Sequence, residues 1–121
     1  MENVEKIRVI YKKVDQKPKV IEIDNTLESK QKLVHGLIEV CDYKFGTLVI
    51  CNDEGRLMDL KPNLDVGYEF IVGDCLIVGD DYENADFKSL TDEQIKMCLK
   101  DIYENSSEFI KSNDMEIQLW I

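Results

Sequence analysis

At 121 residues, with 44% hydrophobic and 33% charged side chains, the chain has the balance of one globular domain rather than of a disordered segment. Its net charge of −10 repels phosphate backbones, so direct binding to DNA or RNA is not expected. No window approaches the roughly 20 apolar residues of a membrane span, and the start MENVEKIRVIYKK lacks the layout of a signal peptide, so a cytoplasmic protein with no membrane association is expected.

The charge is unevenly placed. Residues 1–50 carry nine Lys/Arg against eight Asp/Glu, whereas residues 51–121 carry six against seventeen, a local sum of −11. Arg8 and Arg56 are the only two guanidinium groups, which further weakens a nucleic-acid reading. The cysteines are Cys41, Cys51, Cys75 and Cys98, with no Cys-x-x-Cys pair. Zinc sites usually need closely spaced pairs, so buried, reduced thiols acting as small hydrophobes are expected, with no metal and no cofactor.

In chain order, Ile7 to Tyr11 and Val20 to Asp24 read as an antiparallel strand pair, with Pro18 at the entrance of the second. Asn25 or Thr26 then caps a helix of about ten residues that Gly36 closes. His35, the single histidine, falls in its last turn. There it is expected to meet the helix dipole or bond a free carbonyl rather than move protons.

The stretch Leu37 to Leu60 reads as a hairpin around Lys44-Phe45-Gly46. Thr47 to Cys51 does not alternate with polar residues, which predicts a central strand covered on both faces. After Asn52-Asp53-Glu54-Gly55, Arg56 to Asp59 is expected to form a short strand or extended arm, broken by Pro62-Asn63. Tyr68 to Val78 reads as two apolar runs around Gly73, or as one strand bulged there.

Asp80 to Asp86 is expected to be a solvated acidic loop without the ligand order of a calcium loop. Leu90-Thr91-Asp92-Glu93-Gln94-Ile95 predicts a capping box with a hydrophobic staple, opening a helix whose stripe is Ile95, Cys98, Leu99 and Ile102. Glu116 to Ile121 alternates with a strand period and predicts an edge strand or a partner-binding tail, with Trp120 on the opposite face. The pattern predicts an α+β domain over residues 1–106, a mixed, mainly antiparallel sheet of five or six strands with two helices packed on it. Residues 107–121 form a separate C-terminal segment.

The segments LVHGLIEV, ICNDEGRL, IVGDCLIVGDD and SLTDEQI resemble a family of small uncharacterised domains of unknown function found in bacterial phages, plasmids and integrated elements. The resemblance runs from about Ile7 to Ile102. It departs from the family pattern at His35, where a second glycine stands, at Asn52-Asp53, where the turn starts asparagine-glutamate, and at Asn63-Leu64, where an asparagine-arginine pair stands. These motifs are turns and caps, so they imply a fold and a setting but no mechanism.

No catalytic residue is assigned and an enzyme is not expected. There is no glycine-rich phosphate loop, no nucleophile elbow and no histidine at metal-ligand spacing, leaving only carboxylate chemistry by a pair such as Asp53 and Glu54. The expected function is that of a non-catalytic interaction protein of a phage or mobile element, with a protein partner. The alternative is an acidic, phosphate-mimicking inhibitor of a nucleic-acid-binding protein, and self-association through the C-terminal strand is a third reading. The candidate interaction surface is Asp53, Glu54, Asp80, Asp81, Glu83, Asp86 and Trp120.

Overall fold

A computed structural model describes residues 4–105. Strands β1 (Lys6–Lys12) and β2 (Lys19–Asp24) form the antiparallel pair, with Ile7 opposite Ile23 and Val9 opposite Ile21. Helix α1 (Leu27–Val34) follows, and Thr26 rather than Asn25 caps it, its hydroxyl accepting from the Ser29 amide at 3.1 Å. Asn25 instead accepts from the Lys30 ammonium at 2.7 Å and donates to the Phe87 carbonyl at 3.1 Å.

The helix ends one residue before the glycine expected to close it. His35 itself adopts the left-handed conformation (φ 67°), and the Gly36 amide donates to the Gln31 carbonyl at 3.0 Å. Gly36 answers a different need, close approach. A β-carbon there would lie 2.8 Å from the Asn52 amide nitrogen, which donates to the Val34 carbonyl at 3.0 Å and ties the helix end to the sheet.

Strands β3 (Ile38–Asp42) and β4 (Thr47–Asn52) form the expected hairpin, with Val40 opposite Ile50. Both Phe45 and Gly46 take positive φ in its turn. Residues 53–59 form turns rather than a strand or an arm, because the Leu60 amide reaches back to the Gly55 carbonyl and the Met58 amide to the Glu54 carbonyl. Pro62 does not break a strand but begins one. Strand β5 (Pro62–Asp65) pairs with β6 (Phe70–Val72) as a small separate sheet, with a register shift at Asn63.

Strand β7 (Cys75–Asp81) begins after Gly73-Asp74, so the apolar runs around Gly73 are two strands in two sheets. The acidic segment is not a plain loop. Its first residues extend β7, Tyr82–Asn84 form one tight helical turn, and Asp86 opens β8 (Asp86–Lys88), which pairs back on β7. Gly79 allows that return, since a β-carbon there would sit 2.7 Å from the Lys88 carbonyl oxygen.

The main sheet has the order β2-β1-β7-β4-β3, with β8 beside β7, and every described pairing is antiparallel. The fold is therefore α+β, a six-stranded sheet with two helices and a second small sheet. β4 is covered on both faces as expected, though β7 lies at the centre of the strand order.

Alternation along the strands divides the core in two. Ile7, Val9, Ile23, Ile50, Leu76 and Val78 pack with Val34 of α1 on one face. Ile10, Val49, Cys51, Cys75 and Ile77 pack on the other against β5–β6 and helix α2 (Asp92–Glu104), which contributes Cys98, Leu99 and Ile102. The capping box at Thr91 and Gln94 is present, and Leu90 and Ile95 join that core. Asp101 fastens α2 to the β3–β4 turn by accepting from the Tyr43 hydroxyl at 2.5 Å and the Lys44 ammonium at 2.8 Å. The predicted C-terminal edge strand and Trp120 lie outside the described residues.

Candidate functional site

The β5–β6 hairpin packs on the face of the main sheet that carries Val49 and Cys51, and a pocket of about 80 Å³ lies between it and the β3–β4 hairpin. Cross-strand register sets Glu39 and Cys51 in the pocket lining and Cys41 next to them. Glu39 stands opposite Cys51 and Cys41 opposite Val49, so the two cysteines are diagonal neighbours on one face with Glu39 beside them. One ligand atom from each of Glu39, Cys41 and Cys51 lies within 4.8 Å of the others. The Cys41 sulfur is 3.4 Å from a Glu39 carboxylate oxygen and 3.9 Å from Oε1 of Glu69, which arrives from the loop before β6.

Arg56 closes the mouth. Its guanidinium donates to the Phe70 carbonyl at 2.9 Å and to Oε2 of Glu69 at 3.3 Å, leaving the other oxygen of that carboxylate toward Cys41. Asp53 also lines the pocket, so its ionisable lining is acidic on balance. Burial pushes the Cys41 thiol up to about 12, reinforced by its hydrogen bond to Glu39, and burial with the Glu39 charge pushes Cys51 up to about 11. At neutral pH both carry their protons, the opposite of an activated nucleophile.

Large exposed side chains stand beside the pocket. Leu57 is 87% exposed, Tyr68 63% and Phe70 55%, and Tyr68 reaches over to donate to the Asp42 carbonyl at 3.0 Å. Beside them β3 is the last strand of the sheet among the described residues.

The family of domains of unknown function designated DUF3846 matches residues 7–103. The chain belongs to that family. No curated protein and no solved structure matches it. The family assignment agrees with the resemblance carried by the turns and caps and brings no activity with it, so chemistry has to be read from the side chains.

The acidic residues singled out in the sequence do not converge. Asp53 and Glu54 follow β4, whereas Asp80, Asp81, Glu83 and Asp86 belong to the β7–β8 hairpin beside the start of β4, where the Asp80 amide donates to the Gly46 carbonyl. Extended strand geometry puts roughly 20 Å between these groups. The hairpin group has its own shallow pocket, lined by Leu48, Asp80, Tyr82, Ala85, Asp86 and Phe87. Part of its charge is used locally, since Asp81 accepts from the Asn84 amide and Asp86 from the Phe87 amide.

His35 does have a partner. Its Nε2 lies 2.9 Å from Oδ2 of Asp74, whose other oxygen accepts from the Val14 amide at 2.9 Å. The pocket there is lined by Val14, Leu60, Lys61 and Gly73 and offers no hydroxyl or thiol for such a pair to activate. The Tyr11 hydroxyl is committed to the Leu33 carbonyl at 2.8 Å.

The sequence reading missed Glu39, Cys41, Cys51 and Glu69 as a group. The signal was present in the hairpin register, because a turn centred on Phe45 places Cys41 and Cys51 on one face. Spacing rules for metal ligands look along the chain, and here the ligands meet across it.

Proposed function

We propose that this domain is a non-catalytic binding module that engages a protein partner through the rim of the β3–β4/β5–β6 pocket and the adjoining edge of β3. The observation that carries the reading is the exposed trio Leu57, Tyr68 and Phe70 around the Arg56 guanidinium. Aromatic, large aliphatic and arginine side chains anchor protein interfaces, and β3, the outermost strand among the described residues, can supply main-chain hydrogen bonds to an extended partner segment. The thiols beneath are protonated, and the His35–Asp74 pair faces no nucleophile, so binding is favoured over catalysis. The family resemblance supports a setting in bacterial phages or other mobile elements.

Capture by the tagged full chain from a bacterial lysate tests the reading. A partner retained at both low and high salt is expected. The doubly substituted Leu57→Ser/Phe70→Ser chain should retain at least about tenfold less of it, as expected when interface anchors are removed. Both side chains are exposed, so the fold should survive. Equal retention by that variant would overturn the proposal. A nucleic-acid-binding partner released by salt, and lost instead on Asp80→Asn/Asp86→Asn substitution, would replace it with phosphate mimicry by the β7–β8 hairpin.

A further inference from the structure

We propose that Glu39, Cys41, Cys51 and Glu69 form a binding site for a thiophilic divalent cation of the zinc type. Ligand atoms from the first three already lie within 4.8 Å of one another, and Glu69 Oε1 is 3.9 Å from the Cys41 sulfur. Two sulfurs on a tetrahedral zinc ion sit about 3.8 Å apart, given zinc–sulfur bonds of about 2.3 Å. Small rotations of the two cysteine side chains close that gap while the strands stay in register.

Two sulfur and two oxygen donors match the preferences of zinc and not those of calcium or magnesium, which take oxygen ligands alone. A disulfide fits less well. Cys41 and Cys51 are diagonal across the ladder, where α-carbons stand about 7–8 Å apart, beyond the 4.4–6.8 Å usual for a disulfide. Cys51 is buried and Cys41 half-buried, while Glu39 is exposed, which leaves a route in from the edge of the sheet.

Arg56 supplies the outer support. By holding Oε2 of Glu69 it orients Oε1 toward the sulfurs and offsets part of the negative charge of the donor set. On binding, each thiol releases its proton to solvent and forms a metal–sulfur bond. The site lies beneath the exposed rim and stands independently of the partner-binding reading.

Titration of the reduced, chelator-treated full chain with Co²⁺ tests the proposal. The expected result is one equivalent of tetrahedral cobalt bands with thiolate-to-metal charge transfer, bleached when Zn²⁺ is added. Cys41→Ser and Cys51→Ser should each weaken binding by more than the roughly tenfold loss expected for the outer-support variant Arg56→Gln, and Cys98→Ala should leave it unchanged. Should the cysteine variants unfold, Glu39→Gln still decides, since its exposed side chain can be changed without disturbing the core. Absence of charge transfer in the parent chain, or Co²⁺ affinity unchanged in both Glu39→Gln and Arg56→Gln, would overturn the site.

Discussion

Replacing Asn63 with alanine is expected to destabilise the domain by about 2–4 kcal/mol, the summed cost of three lost hydrogen bonds, one of them from a charged group. Lys12 is only 4% exposed, and its ammonium has two described partners, the Asn63 side-chain oxygen and the Lys13 carbonyl, both at 2.9 Å. The Asn63 amide group meanwhile donates to the carbonyls of Lys12 and Gly73, each at 2.8 Å. One side chain at the β5 irregularity thus joins β1, β5 and the end of β6. Alanine removes all three bonds at once, leaving two carbonyls without that donor and the ammonium with the Lys13 carbonyl as its remaining described partner. Urea unfolding followed by far-ultraviolet circular dichroism measures the effect. The double substitution Lys12→Met/Asn63→Leu should recover a large part of it, because the buried charge leaves with its partner. A loss below about 1 kcal/mol in Asn63→Ala would show that the network is not a structural rivet.

Alkaline pH should unfold the domain through its buried thiols. Cys75 and Cys98 are completely buried, and burial pushes them up to about 12 and about 11 from the ordinary 9.0. In the unfolded chain both ionise near pH 9, so the folded state holds more protons above that pH and stability falls as pH rises. The contribution is fully present below pH 9 and is lost as pH climbs toward 11–12. Each thiol costs about 1.4 kcal/mol per pH unit, hence about 5 kcal/mol for the pair over two units, comparable with the whole stability of a small domain. Burial and Asp101 shift Tyr43 upward, which adds in the same direction. Lys12 and Lys30, lowered by burial, act in the opposite direction. Unfolding free energies at pH 8, 9.5 and 11 check the slope. Cys98→Ala should flatten it by about 1.4 kcal/mol per unit above pH 9, and an unchanged slope would contradict the assignment.

Local chemistry was the legible part of the sequence. The Thr91–Gln94 capping box and the β3–β4 turn at Phe45-Gly46 rest on interactions within a few residues, and the unbroken apolar run Thr47 to Cys51 carries its two-sided burial in its own composition; the structure shows all three. The misread stretches depend on distant partners. Gly36 looked like a helix cap, but its missing β-carbon serves Asn52, sixteen residues away. Asn63 looked like a strand breaker because its amide bonds to Lys12 and Gly73 were invisible in the string. The acidic run read as loop because the pairing of Asp81 with Asp86 requires the strained turn at Ala85 between them.

The candidate site was the least legible of all. Its cysteines are ten positions apart and meet through strand register, and Glu69 comes from the loop that joins the strands of the other sheet. Charge pattern drew attention instead to Asp53, Glu54 and the β7–β8 hairpin, which the fold places at opposite ends of β4.

Amide hydrogen exchange on the full chain, free and bound to its captured partner, tests the central claim most directly. New protection along Ile38–Asp42 and in the segment from Tyr68 to Val72, with the β7–β8 hairpin unchanged, is the predicted result. Protection confined to Asp80–Lys88 would contradict it and move the binding face to the acidic hairpin.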